Sequence, residues 1–165
     1  MKDVMLITAE KVRELGYVHD NVLPKTIKIT IKRAQRTMLR PLMGATAYDD
    51  LVDAVSASLP PTVPVVALTA EQIDLIDNYI QPYLAACVDY KIVVPLTIRH
   101  KSKSTGKGKD ENHEPSDKED MVMLKDQMMK DVDAFAEALL EKLAATNGCP
   151  ASSKSENPWN NIKFR

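Results

Sequence analysis

Apolar residues recur at helical intervals along most of the chain, and the breaks between them carry helix-capping chemistry. Val12 and Leu15 edge a short helix over 9–15, opened by Thr8 as N-cap and stopped by Gly16. Asn21 is a second candidate cap. Beyond it, Ile27, Ile31, Ala34, Met38 and Leu42 step by three or four, the period of a buried helical stripe. The β-branched run Ile29-Thr30-Ile31 favours strand locally, and the longer periodicity outweighs it. Pro24 suits a first turn, and Pro41 followed by Gly44 ends the element. Thr46 caps a third helix over about 47–57, whose apolar face is Tyr48, Leu51, Val52 and Val55.

The stretch LPPTVPVVAL predicts an extended connector, because its prolines cannot feed a hydrogen-bonded ladder. Thr69 and Gln72 form a capping box for a helix reaching about residue 93, along Ile73, Ile76, Ile80, Leu84, Cys87 or Val88, and Ile92. Pro82 should kink or split it, and Pro95 should end it. Residues 99–117 hold no large apolar side chain, which predicts a long polar loop. Ser116 and Glu119 form a second capping box, opening the longest helix. Its stripe is Val122, Leu124, Met128, Met129, Val132, Phe135, Ala136, Leu139, Leu140 and Leu143, and Asn147-Gly148 closes it near 146. The fold expected is all-α: a small bundle of about five helices over 1–148, with the mobile loop 99–117 and an extended C-terminal arm over 149–165.

Composition narrows the function classes. The 165 residues carry 22 Lys+Arg against 23 Asp+Glu, a formal charge of -1 that excludes a globally basic nucleic-acid binder. No apolar run is long enough to span a membrane, and the N-terminus lacks the apolar core of a signal peptide. Cys87 and Cys149 cannot build a disulfide framework or a Cys-rich metal site. Together these suggest a soluble protein of a reducing compartment.

Charge is concentrated locally. Lys28, Lys32, Arg36 and Arg40 repeat every fourth residue, Lys25 and Arg33 flank them, and no acid falls between Asp20 and Asp49. Like charges at this spacing repel by a few tenths of a kcal/mol per pair, so an acidic partner is expected. Nucleic acid would serve, or an acidic surface such as Asp49, Asp50, Asp53, Glu71, Asp74 and Asp77 on a neighbouring subunit. A second basic group, Arg99, Lys101, Lys103, Lys107 and Lys109, marks the polar loop as a partner-docking segment. Trp159, Ile162 and Phe164 are aromatic and apolar anchors on an otherwise polar arm.

Catalytic and ligand motifs are sparse. SKSTGKGKD lacks the opening glycine and the closing Ser/Thr of a phosphate-binding loop. His19, His100 and His113 are isolated, with no metal-ligand spacing. Cys87 sits on an apolar stripe, and Ser102, Ser152 and Ser153 lack a nucleophile elbow. No catalytic residue, cofactor or metal is expected, and the chain does not read as an enzyme.

One ordered set of short words carries a resemblance. A basic helix with Ala34-Gln35 runs into Leu42-Met43-Gly44, followed by Tyr48-Asp49-Asp50-Leu51, a Pro-rich connector, a helix with internal Pro82, Lys107-Gly108, and Glu114-Pro115-Ser116-Asp117 before a long final helix. Over most of residues 7–146 this order resembles the head–tail connector proteins of tailed bacteriophages, the adaptor or neck-ring group, most closely those of crAss-like and other Bacteroides-type phages. The resemblance implies a helical subunit repeated as a ring, usually twelve-fold, beneath the portal protein and around the DNA exit channel. It implies contacts with the next neck or tail component, non-specific contact with genomic DNA, and a place at the virion neck after synthesis in the host cytoplasm. The alternative expectation is a small helical DNA-binding regulator using the basic helix 25–40. Base-reading groups are scarce there, Gln35 and the arginines lying mid-helix or later.

Overall fold

The computed structural model describes residues 4–60, 66–103 and 118–146, and every regular element among them is helical. In order they are α1 (Ala9–Leu15), α2 (Pro24–Ala34), a π-helical turn (Gln35–Leu39), α3 (Arg40–Met43), α4 (Ala45–Ser58), α5 (Ala70–Leu75), a second π-helical turn (Ile76–Ile80), α6 (Gln81–Lys103) and α7 (Lys118–Thr146). The π turns run without a break into their neighbours, so the segments form five continuous rods, as the periodicity expects.

The proline rods do not behave as the sequence rules predict. The rod holding Pro41 runs two residues past it and ends at Met43 before Gly44, as expected of the glycine, while Pro82 leaves its rod unsplit. Each proline is the second residue after a π turn. In the first turn Arg40 N donates to Gln35 O, and in the second Gln81 N donates to Ile76 O, five residues back. The register break starts a new α-segment, and the proline falls in its first turn, where a missing N–H costs little. Pro95 likewise fails to stop α6. One absent N–H is a local penalty of about 3 kcal/mol, and the ladder resumes beyond it. Consequently Arg99, Lys101 and Lys103 belong to the last turns of α6 and not to a loop. Lys107, Lys109, the Ser116 capping box and the arm anchors Trp159, Ile162 and Phe164 lie outside the described residues.

Two predicted caps are replaced. Leu23, not Asn21, precedes α2, with Pro24 at the first helical position; the Asn21 amide instead donates to His19 Nδ1 at 3.2 Å. Gly44, at φ 84°, precedes α4, and Thr46 lies within that helix. A left-handed φ here turns the chain sharply between α3 and α4, which only glycine does without strain. Thr8 and Thr69 cap as expected: Thr8 Oγ1 accepts from Lys11 N at 3.1 Å, and the Thr69–Gln72 capping box is complete. The β-branched run is helical because Thr30 is buried with its hydroxyl donating to Thr26 O at 2.9 Å, while Ile31 is fully buried.

The core is arranged around α6. Seven consecutive residues from Tyr83 to Asp89 are buried, so this helix is covered on every side and packs against α1, α2 and α7. Ile7, Val12, Ile27, Ile31, Leu39 and Leu139 are fully buried in the same core cluster as Leu84 and Val88. The predicted face of α4 is correct at all four positions, with Tyr48, Leu51, Val52 and Val55 buried. On α7 only Val132 and Leu139 are fully buried, with Met129, Ala136 and Leu143 packed beside them at the alternating three–four spacing of a narrow seam. Val122, Leu124, Phe135 and Leu140, expected in the same stripe, are exposed. Lys142 ties the helix down: its Nζ donates to Asp74 Oδ2 at 2.6 Å and stands 5.3 Å from the centre of the Tyr79 ring.

Candidate functional site

Two surfaces stand out. The first is the outer face of α2 and the turn that follows it. Burial of Ile27, Ile31 and Ala34 fixes the rotation of α2, and the same rotation presents Lys25, Lys28, Arg33 and Arg36 to solvent, with Lys32 half-buried among them. Ile29, 47% exposed, is an apolar side chain set within this basic row. At its far end Arg40 bends to α4, its Nη2 donating to Asp49 Oδ2 at 3.1 Å. Lys25, Lys28, Arg33 and Arg36 make no ion pair among the described residues. The acids considered as their complement are partly engaged elsewhere: Asp49 with Arg40, Asp74 with Lys142 and Asn78, and Asp77 with Gln81. Arg40 is thus neutralised within the subunit by direct pairing, whereas Lys25, Lys28, Arg33 and Arg36 form no ion pair among the described residues.

Gln35 does not belong to this surface. It is buried, and its side chain joins three segments: Oε1 accepts from Leu6 N at 3.1 Å, while Nε2 donates to Val4 O and to the Tyr48 hydroxyl, each at 3.1 Å. This fixes the N-terminal segment at residues 4–6 to the π turn after α2 and to α4, and it removes the one amide side chain that a base-reading helix would have used.

The second surface is a groove across α1, α6 and α7. Leu15, Tyr17, Pro82, Ala86, Asp89, Met128, Asp131 and Phe135 line a cavity of about 210 Å³. Asp89 is its chemical centre. Its Oδ2 accepts from Tyr17 N at 2.9 Å, while its Oδ1 is buried without a hydrogen-bond partner among the described residues. Burial pushes its carboxyl up to about 6; the backbone N–H groups of Tyr17 and Val18 oppose this, and the Asp131 carboxylate adds to it. Gly16 is what permits the approach. At φ -117° it adopts an ordinary extended conformation rather than a left-handed one, and a Cβ there would lie 2.6 Å from Asp89 Oδ2. Nothing in the sequence reading singled out Asp89. The available signal was an acid directly after the apolar run Leu84–Val88.

The remaining candidates are structural or peripheral. Cys87 is fully buried, and burial pushes its thiol up to about 12, far from a reactive thiolate. His19 is exposed. Among the described residues no group of three His, Cys, Asp or Glu side chains is arranged to hold a metal ion, and no helix is long and apolar enough to cross a membrane.

The fold thus defines a small all-α bundle that displays a basic helical face and a narrow acidic groove. By sequence the chain belongs to a family of unknown function (DUF6712), matched over residues 39–158. That span takes in α3 to α7 and Asp89, but most of the basic row precedes it. No curated protein and no solved structure matches the chain.

Proposed function

We propose that the chain is a structural subunit of a tailed-phage head–tail connector, forming a ring beneath the portal and lining or extending the DNA channel. The observation that carries this reading is the basic row on α2, whose members Lys25, Lys28, Arg33 and Arg36 have no ion-pair partner among the described residues. A surface of one sign seeks its complement outside the subunit, on an adjacent copy or on DNA passing through the ring. The order of short words from Ala34-Gln35 to Glu114-Pro115-Ser116-Asp117 supports the connector class. Burial of Gln35 speaks against a sequence-specific DNA reader, because a bidentate amide–adenine contact needs that group exposed. The reading assigns no catalytic step, cofactor or metal to the chain.

Electron microscopy of the purified protein, alone and mixed with a portal ring from the same genome, tests the proposal. A ring, or a portal gaining one symmetric layer of density, is the expected result. A monomer that ignores the portal and shifts a DNA oligonucleotide with steep salt dependence overturns it in favour of a regulator.

A further inference from the structure

The groove between α1, α6 and α7 combines three features that a finished surface rarely leaves together. Its cavity of about 210 Å³ falls below the roughly 300–1,000 Å³ of small-molecule sites, and it suits a single large side chain. Leu15 and Phe135 leave apolar area open beside it, at 41% and 42% exposure. Asp89, only 5% exposed, holds one carboxylate oxygen without a partner among the described residues, and Asp131 places a second acid on the same lining. A buried carboxylate lacking a counter-charge is costly, and a cationic donor relieves that cost through a charge-assisted hydrogen bond.

The chain carries a segment of complementary chemistry. Residues 157–165, NPWNNIKFR, hold three apolar anchors and two cations and no acid. Reach permits an intramolecular contact. Phe135 lies eleven positions before the last residue of α7, about 17 Å back along the helix. Trp159 lies thirteen positions beyond Thr146, a span of up to about 44 Å when extended.

We propose that this C-terminal segment seats in the groove of its own chain, an aromatic side chain entering the cavity and Lys163 or Arg165 meeting the carboxylates of Asp89 and Asp131. The inference does not rest on the connector reading, since it needs neither a ring nor a portal. Its consequence is that the bundle covers its own acidic groove, and that any partner binding there must displace the segment.

Trp159 is the single tryptophan of the chain, so its fluorescence reports the contact directly in the full-length protein. The expected result is a blue-shifted emission with weak acrylamide quenching, unchanged over hundredfold dilution. Asp131→Lys should raise quenching several-fold and shift emission to the red while far-ultraviolet circular dichroism stays constant. The pair Lys163→Glu and Arg165→Glu should do the same, and combining all three substitutions should restore much of the protection. A water-exposed Trp159 in the unaltered protein overturns the proposal. So does protection that ignores Asp131→Lys, or that disappears on dilution, the mark of a segment donated by another copy.

Discussion

Asp89 Oδ2 occupies the space where a Cβ on Gly16 would stand, 2.6 Å away, and accepts from Tyr17 N at 2.9 Å. The end of α1 is thereby fastened to the middle of α6 by one carboxylate over one glycine. Gly16→Ala must push this carboxylate off the Tyr17 amide. The variant is expected to lose about 1–3 kcal/mol of stability, read as a lower denaturation midpoint in urea with little change in the slope.

Gln35 predicts a similar loss at a second tertiary contact. Gln35→Ala leaves Leu6 N, Val4 O and the Tyr48 hydroxyl without their common partner. A cost of about 2–4 kcal/mol is expected, together with faster amide exchange over residues 4–8, because this side chain bonds the backbone at Val4 and Leu6.

Asp89 sets a pH dependence whose sign follows from burial. Its carboxyl is raised to about 6 from an ordinary 3.8, so the folded chain binds this proton more tightly than the unfolded one. Its contribution is fully present below pH 4 and is lost as pH rises through 6. After discounting for solvent at the groove mouth, the loss is roughly 1–2 kcal/mol. Asp89→Asn should flatten this window in urea titrations between pH 4 and 7. The effect should be largest in a Trp159→Ala, Phe164→Ala background, where no cation is brought to the groove.

Leu139 and Leu140 are neighbours on α7 with opposite environments, 0% and 42% exposed. Leu139→Ala opens a cavity in the core and is expected to cost about 2–5 kcal/mol. Leu140→Ala should cost less than about 1 kcal/mol. Equal losses in thermal melts would contradict the narrow seam described for this helix.

The basic row gives the functional prediction. Lys28→Glu with Arg36→Glu alters two exposed positions that make no ion pair among the described residues, so circular dichroism and melting should change little. Ring formation or portal association should be lost, and native electrophoresis with the portal measures it. Assembly that survives both reversals would remove the α2 face from the interface.

Periodicity and caps were legible where local rules and tertiary packing agree. Thr8 and Thr69 cap because their side chains reach backbone amides three residues away, a purely local geometry. The four buried positions of α4 follow from one helical stripe. Pro24 opens α2 as its position suggests, but Pro41 and Pro82 interrupt nothing, because a rule about one missing N–H ignores register. A π turn before Pro41, and another before Pro82, lets each proline open a new α-segment. The α7 stripe was drawn too wide because the sequence shows which residues are apolar but not how much neighbouring surface exists to cover them.

By itself the sequence determined the helical class, the rod boundaries to within a few residues except the far end of α6, and the one-signed charge of α2, since each depends on spacing along the chain. Only the tertiary structure decided what Gln35 and Asp89 do. Their partners, Leu6, Tyr48, Gly16 and Tyr17, lie far along the chain or on other elements. A polar side chain in an apolar run takes its meaning from what packs against it, and packing brings together residues that spacing alone leaves apart.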